Sequence, residues 1–319
     1  MRAFLGVLVF LAVVLVMVAT YALLQFDGAG PLPEARAVVV PRGSMGEVSA
    51  ALARAGVVRS ASALEAVSVI SRGGAIHAGE LEFPAGASLR QVLAVLRTGR
   101  QVLHKVTIPE GLTAAQVALL LDRAPALDGE TVIPAEGMFL PDTYVFERGL
   151  RRGAIAERGR EAMIRALERA WQGRKQDLPL ASATEALILA SIVERETGKA
   201  EERPHVAAVL LNRLRRGMKL QTDPTVIYGA SGGLGVLNHG LTRAELDRDD
   251  PYNTYRIPGL PPGPISMPGV ASLKAVTQPA TSEDLFFVAD GTGGHAFAKT
   301  QEEHQRNVLH WRELERIKP

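Results

Sequence analysis

The sequence of 319 residues contains no cysteine. This absence excludes disulfide bonds, iron–sulfur clusters, thiol catalysis and zinc sites with cysteine ligands. The seven histidines form no H-E-x-x-H motif and no other paired ligand spacing. We therefore expect neither a metal site nor a cofactor.

An excess of charge of one sign is also missing. Lys and Arg total 36 against 34 Asp and Glu, and Arg2 is the only charged residue before Asp27, which leaves 35 against 34 for the rest of the chain. Neutralising the phosphates of a nucleic acid takes a concentrated basic surface, so this balance argues against nucleic acid as the main partner. The hydrophobic content of 47% is enough for a substantial core.

A run of 22 consecutive uncharged residues lies near the N-terminus, from Ala3 to Leu24. As a helix, it would span about 33 Å, slightly more than the ~30 Å hydrocarbon core of a bilayer. The only nearby A-x-A sequence, at residues 35–37, is too distant for a typical signal-peptide cleavage site. With Arg2 before the run, we expect residues 1–26 to be a single-pass anchor in the inner (cytoplasmic) membrane, with the rest of the chain outside. A cleaved signal peptide is the alternative.

A Gly/Pro-rich linker at residues 27–36 leads into a repeated unit of strand, turn and helix. The strands are predicted at residues 37–40, 80–83 and 105–108, and the helix starts are marked by the capping-box pairs Ser44/Glu47, Ser88/Gln91 and Thr113/Gln116. Ser62 with Glu65 predicts one more helix, through Ile70. Residues 37–105 are thus predicted to form a small module in the order strand–helix–helix–strand–helix–strand. Its first part fits a glycan-binding, LysM-like module, and a compact spacer is the alternative.

Residues 106–319 are predicted to form a larger mixed domain. Helices are expected over residues 154–171 and 184–216, the latter interrupted near Gly198 and Pro204, and a hairpin over residues 285–299. Thr300 with Glu303 predicts a last helix that ends near Ile317. Because strands precede the helices and a hairpin follows them, the predicted class is α+β.

Acid–base chemistry is predicted at the end of one helix, in the run EALILASIVERE (185–196). Its residues 186–193 are uncharged around the whole helix, so the helix should be buried, and Glu194 and Glu196 stand at its end. Poor solvation raises the pKa of a carboxyl group, which suits a general acid. The two side chains point about 200° apart, so one can face a cleft while the other faces solvent. Periodicity does not choose between them, and a solvated helix end with basic partners is the alternative.

Two further segments supply candidate substrate contacts. Gln221 and Asp223 come before Pro224, which favours an extended loop, with an Asx-type turn as the alternative interpretation of Asp223. Residues 249–269 hold six prolines and three glycines, with Asn253 and Tyr255 near their start. A long stiffened loop that presents aromatic and amide groups suits a sugar-ring surface.

Several long runs, taken together, resemble one family. They are EGMFLPDTYVF (136–146), LASIVERET (189–197), NRLRRGMKLQTDPTVIY (212–228), PYNTYRIPGLPPGPI (251–265) and FFVADGTGGHAF (286–297). With the anchor and the repeated unit before them, the chain resembles the membrane-anchored endolytic murein transglycosylases, the MltG/YceG-like family, over nearly its whole length.

The resemblance implies a LysM-like module at residues 37–105 and a catalytic domain at residues 106–319. It also implies a lyase that cleaves peptidoglycan between N-acetylmuramic acid and N-acetylglucosamine and leaves a 1,6-anhydro end. The catalytic glutamate of the family's SIVE run carries onto Glu194. Gln221, Asp223, Asn253 and Tyr255 are then expected to position the sugar.

The sequence leaves two alternatives open. One is a lysozyme-like hydrolase in which Asp223 acts as the second carboxylate beside Glu194. The other is a non-catalytic scaffold that binds peptidoglycan. The resemblance further implies peptidoglycan glycan strands as the substrate, and peptidoglycan synthases of the elongation and division machinery as protein partners.

Overall fold

A computed structural model describes residues 2–71 and 73–317, without the side chains of several residues in the first helix and of Ile317. The chain divides into two compact units. The first consists of Met1–His104 and Val145–Gly149, and the second consists of Lys105–Tyr144 and Leu150–Pro319.

The first unit contains a long helix followed by alternating strands and helices. The elements up to the end of its first segment are α1 Arg2–Asp27, β1 Arg36–Val40, α2 Met45–Arg54, α3 Ala61–Ile70, β2 Gly79–Phe83, α4 Leu89–Thr98 and β3 Leu103–Thr107. Strands β1 and β2 pair antiparallel, with Val38 opposite Leu81. The predicted order of strands and helices after the linker is therefore confirmed.

The N-terminal run predicted as a membrane anchor lies within α1. Among the residues that the structure describes, no helix has both the length and the apolarity needed to cross a membrane. The predicted span is therefore not confirmed.

Side-chain caps fix the starts of the short helices in the first unit. Ser44 and Ser88 accept hydrogen bonds from the backbone N–H groups three residues later, at 3.3 and 3.4 Å, so both predicted caps are confirmed. The predicted cap at Ser62 was wrong. Ser60, whose backbone is extended, accepts from the N–H of Ala63 at 3.3 Å, while Ser62 already lies inside the first turn of α3.

The core of the first unit lies between its strand pair and helices α2–α4. Its fully enclosed side chains include Leu52, Leu64, Leu81, Phe83 and Leu96. Burial of one such side chain stabilises the fold by roughly 1.5–3 kcal/mol.

From Lys105 onward, helices predominate. The elements after β3 are α5 Ala114–Asp122, β4 Leu127–Asp128, β5 Thr143–Glu147, β6 Leu150–Arg151, α6 Arg152–Gln172, α7 Ala183–Glu196, α8 Arg203–Arg215, α9 Asp223–Ala230, α10 Arg243–Asp247, α11 Val270–Thr277, β7 Phe286–Ala289, β8 His295–Ala298 and α12 Gln301–Ile317. Strands β4 and β6 pair in parallel, and β7 and β8 form the predicted hairpin, with Phe287 opposite Phe297. The class is α+β, as predicted.

Helix α7 is the centre of the second unit. Every residue from Ala186 to Glu194 is buried, because α6, α8 and α11 pack around it, so the predicted burial on all sides is confirmed. The predicted interruption near Gly198 and Pro204 separates α7 from α8. A helix enclosed in this way holds the groups at its C-terminal end in fixed positions.

The segment after α8 differs from the prediction. Asp223 is the first residue of α9 instead of part of an extended loop, with Pro224 in the first turn of that helix. Proline lacks a backbone N–H, and the first turn is the position where a helix does not need that donor. The long Pro-rich segment after α10 contains no helix or regular strand from Arg248 to Gly269, as predicted.

Candidate active site

Glu194 lies in an enclosed ion-pair cluster. One carboxylate oxygen, Oε1, accepts a hydrogen bond from Arg203 Nη2 at 2.8 Å, and the other, Oε2, accepts one from the N–H of Gly269 at 2.9 Å. The same Arg203 nitrogen lies 3.1 Å from Oε2 of Glu110. Only 3% of the Glu194 side chain is exposed. Glu194 therefore ties α7 to the start of α8 and to the residue before α11.

Opposing interactions act on the pKa of Glu194. Burial raises the pKa of Glu194, the N–H of Gly269 and the guanidinium of Arg203 oppose the rise, and the charge of Glu110 adds to it. Gly269 permits the close packing, since a Cβ at this position would collide with the Glu110 carboxylate. The cluster leaves Glu194 little access to a substrate.

Glu196, two residues further on, lies in different surroundings. It lines a cavity of about 390 Å³ together with Gln221, Asp223 and Tyr255. Three of the four residues predicted as substrate contacts are thus brought together, and they lie beside Glu196. Within the described part of the chain, Glu196 has no ion pair and its carboxyl group accepts no hydrogen bond. The expectation that one glutamate faces a cleft while the other faces solvent was right only for the cleft, because Glu196 lines a cavity whereas Glu194 is enclosed by protein.

The Glu196 carboxyl group has a strongly raised pKa. Burial raises it to about 8, the charge of Asp223 adds to the rise, and Arg213 opposes it. Glu196 is also the last residue of α7, where the negative end of the helix dipole disfavours a carboxylate. A group with this pKa is protonated at neutral pH and can donate a proton to a bound molecule.

Gln221 holds an unusual backbone conformation at the edge of the cavity. Its φ is +54°, and among the described residues other than glycine it alone has a positive φ. A residue in this region costs about 1–3 kcal/mol and persists only where its surroundings impose it. Here the N–H of Gln221 donates to the carbonyl of Thr254 at 3.2 Å, and the next N–H, that of Thr222, donates to the Thr254 hydroxyl at 3.0 Å.

Asp223 and Tyr255 form a pair in the cavity wall. The Tyr255 hydroxyl donates to Asp223 Oδ1 at 2.6 Å. Burial raises the pKa of Tyr255 and the Asp223 carboxylate adds to the rise, so Tyr255 is a neutral donor near pH 7. The pair joins the start of α9 to the Pro-rich segment.

Asn253, the fourth predicted contact, lies behind the cavity wall. It is 1% exposed, and its amide nitrogen donates to the carbonyls of Glu245, Leu246 and Arg248 at 2.8–3.3 Å. Its side-chain oxygen accepts from the N–H of Tyr255 at 3.0 Å. Asn253 is therefore buried and does not line the cavity, and its side chain instead holds the backbone around Tyr255 by hydrogen bonds.

Sequence reasoning missed Arg213, which lines the same cavity. Its guanidinium donates to the carbonyls of Leu285 and Leu220 at 2.6 and 2.7 Å and lies over the ring of Phe286. It thus fixes the strained Gln221 segment against the β7–β8 hairpin. The run NRLRRG contained this residue, but its basic pattern there resembles an ordinary exposed helix end.

His295 is a second residue that sequence reasoning missed. It lies in the GGHAF part of the last quoted run, lines the cavity beside Glu196, and packs edge-on against Phe287. Its Nδ1 lies 2.8 Å from Oε2 of Glu202, and its backbone N–H donates to Oε1 of the same residue at 3.1 Å. Glu202 therefore holds the imidazole ring in one orientation.

Within residues 2–71 and 73–317, no group of three or more His, Asp or Glu side chains is arranged to hold a metal ion. The chemistry available in the cavity is that of a protonated carboxyl group beside hydrogen-bonding side chains.

Comparison with known proteins finds one family. The model of the YceG-like family matches residues 38–310. A relative from Bacillus subtilis named endolytic murein transglycosylase is 28% identical over 302 residues, which cover 84% of this chain and 82% of the relative. A relative of the same name from Streptococcus pneumoniae is also 28% identical, over 85% of this chain, but this chain covers only 57% of that longer protein.

A solved structure also resembles the fold. The 2.6 Å crystal structure of a YceG-like protein from Listeria monocytogenes is 29% identical, with a TM-score of 0.52 over 86% of this chain and 99% of that one.

Proposed function

The chain belongs to the YceG-like family, and from this premise we propose that it is an endolytic lytic transglycosylase of peptidoglycan. The observation that carries the proposal is the cavity in which Glu196, with a pKa of about 8, lies beside Gln221, Asp223 and Tyr255. The names of the relatives from Bacillus and Streptococcus support the same reaction class.

In the proposed reaction, one carboxyl group serves twice. It gives its proton to the glycosidic oxygen as the bond from C1 of N-acetylmuramic acid to that oxygen breaks. The 6-hydroxyl oxygen of the same sugar then bonds to C1, and its proton passes to the carboxylate. No water is consumed, the product ends in a 1,6-anhydro sugar, and the carboxyl group returns to its protonated state. Glycosidases that use water need two carboxyl groups instead.

The surroundings of the two glutamates favour Glu196 as this group over Glu194. Glu194 was assigned by resemblance, yet its carboxylate is enclosed and holds Arg203 and Gly269. A general acid must reach the proton acceptor within hydrogen-bond distance, and Glu196 is the one that lines the cavity. Glu194 is then a positioning residue that fixes the end of α7.

The supporting residues divide into two groups. Gln221, Asp223 and Tyr255 face the cavity and would hydrogen-bond the sugar, while Asn253 holds Tyr255 from behind. We expect the Asp223 charge also to keep Glu196 protonated.

The first unit supports a second part of the proposal. Its β1–α2–α3–β2 order, with the two strands paired antiparallel, fits a LysM-like glycan-binding module over residues 37–105, ahead of a catalytic domain over residues 106–319. The uncharged run from Ala3 to Leu24 supports attachment to the inner membrane with the catalytic domain outside. Peptidoglycan synthases remain the expected protein partners by family likeness.

Mass spectrometry of the digestion products tests the reaction. Purified peptidoglycan glycans are incubated with the full chain, with Glu196→Gln and with Glu194→Gln, a matched pair because both remove one carboxyl group from the same helix end. We expect internal cuts that carry 1,6-anhydro ends from the wild type and from Glu194→Gln, and none from Glu196→Gln.

Three other outcomes contradict parts of the proposal. Reducing ends that carry added water indicate a hydrolase, with Asp223 as the second carboxyl group. Loss of cutting in folded Glu194→Gln, with cutting kept in Glu196→Gln, returns the catalytic role to Glu194. Glycan binding without any cut by the wild type indicates a scaffold.

A further inference from the structure

A second cavity adjoins the first. Its volume is about 270 Å³, and it shares Glu196, Ala289 and His295 with the cavity described above. The proposed acid therefore stands at the junction of two cavities. An enzyme that cuts inside a chain has to hold sugars on both sides of the bond, and two cavities that meet at the proposed acid are candidates for those two sides.

One face of α12 runs along both cavities. His304 and Val308 line the first, and Trp311 lines the second. The spacing of four and then three residues places all three on the same side of the helix, over about 10 Å of its length. The two cavities are therefore parts of one groove that follows α12.

The residues that the two cavities do not share differ in chemistry. The first cavity adds the charged and amide groups of Arg213, Gln221 and Asp223, whereas the second adds Thr197, Trp311 and the glycines of the β7–β8 turn. That turn is held in shape from within, since Asp290 Oδ1 accepts from the N–H groups of Thr292 and Gly294 at 2.7 and 3.2 Å. An indole beside the backbone groups of a turn suits the apolar face and the rim hydroxyls of a sugar ring.

We propose that the second cavity is a saccharide subsite in which Trp311 stacks against a sugar ring on the far side of Glu196 from the first cavity. The glycan strand runs along α12 and passes Glu196, so that the bond cleaved at Glu196 has sugar units bound on both sides. This inference rests on the proposed function, because it assigns the second half of the same groove.

The test follows both the rate and the position of cutting. End-labelled glycan strands of uniform length, freed of peptides, are digested by the wild type, Trp311→Ala, Trp311→Phe and Trp171→Phe. Trp171 is the only other tryptophan, and it is partly buried against the core beneath Arg174, so its variant controls for the loss of an indole elsewhere.

We expect Trp311→Ala to cut about tenfold more slowly and to give a different distribution of product lengths, because one side of the strand is held less firmly. Trp311→Phe keeps an aromatic face and should retain the wild-type lengths, as should Trp171→Phe. A variant that is merely destabilised gives the wild-type lengths at a lower rate. Wild-type product lengths from Trp311→Ala, at any rate of cutting, would overturn the subsite.

If the wild type leaves the strands intact, the proposed function is wrong. In that case the Trp171→Phe protein, whose single indole is Trp311, is titrated with the same strands and its fluorescence is followed. A saturable change supports a sugar site at Trp311, and no change overturns it.

Discussion

Glu194 and Glu196 stand two residues apart on α7, and both are carboxyl groups with a raised pKa, yet their surroundings differ in kind. Glu194 is enclosed and holds a guanidinium and a backbone N–H, whereas Glu196 opens into a cavity and has no ion-pair partner among the described residues. A raised pKa therefore does not identify a catalytic acid by itself. Access to substrate and freedom from a fixed partner separate the two.

The comparison also shows how the fold uses a buried helix end. Glu194 and Glu196 point about 200° apart around the helix axis. The helix therefore directs the Glu194 carboxyl group into the protein and the Glu196 carboxyl group into the groove. The inner carboxylate fixes α8 and α11 in place, and that fixed frame is what positions the outer one.

The largest expected contrast between the Glu196 and Glu194 variants is in the rate of glycan cutting. Glu196→Gln removes the proton donor, so we expect initial cutting rates to fall by about 10²–10⁴-fold, the usual contribution of a general acid. Glu194→Gln should stay within about tenfold of the wild type per folded molecule, since it does not touch the sugar. Labelled glycan strands and a count of folded protein measure both. Equal losses in the two variants would break the comparison.

The next contrast is in stability. Among the described residues, Glu194→Ala leaves Arg203 with only Glu110, which is partly exposed, and leaves the N–H of Gly269 without its acceptor. We expect a loss of about 3 kcal/mol, which lowers the midpoint of thermal unfolding by roughly 6–12 °C. Circular dichroism on the full chain measures it, and an unchanged midpoint would mean that the cluster contributes nothing.

Unlike Glu194→Ala, Glu196→Gln should increase the stability of the protein, and only at high pH. The folded protein binds the Glu196 proton more tightly than the unfolded chain, so the wild type loses stability as the pH rises from about 4.5 to about 8. Glutamine does not ionise. The variant should therefore match the wild type at pH 4 and melt higher at pH 9, and a constant difference across that range would contradict the raised pKa.

A third contrast is the pH dependence of activity. Protonated Glu196 is the active form, so kcat/KM should fall about tenfold for each pH unit above about 8. Rates measured between pH 4 and pH 10 with folded protein test this. A fall that begins below pH 5 would indicate an ordinary, solvated carboxyl group.

The smallest expected effect separates the causes of that pKa. The charge of Asp223 raises the pKa of Glu196, so Asp223→Asn should move the fall in activity toward lower pH while the rate at pH 6 drops only a few-fold. Tyr255→Phe, which leaves the Asp223 charge in place, is the matched control. A loss in Asp223→Asn as large as that in Glu196→Gln would favour the hydrolase, in which both carboxyl groups react.

Local patterns predicted much of the fold. The uncharged stretch of residues 186–193 predicted a helix buried on every side, and serines at fixed spacing predicted two helix starts correctly. Both depend on neighbours within one or two helical turns. The predicted loop at Asp223 failed, because a proline after a residue is compatible with the first turn of a helix as well as with an extended chain.

The candidate site was predicted only in part. Three polar residues of the groove were predicted from the sequence segments that contain them. The choice between Glu194 and Glu196, however, depends on Gly269, which lies 75 positions away from Glu194. Arg213 and Trp311 carried no local signal either. Their positions follow from the packing of the hairpin and α12, which no short pattern encodes.

The helix α12 lies after every other element of the groove in the chain, and it walls both cavities. Because a protein is made from its N-terminus, the groove stays open on that side until residues 301–311 have emerged and docked. A nascent chain that already presents Glu196 thus lacks this wall. Under the proposed function, the order of synthesis alone would withhold glycan cutting until α12 has docked.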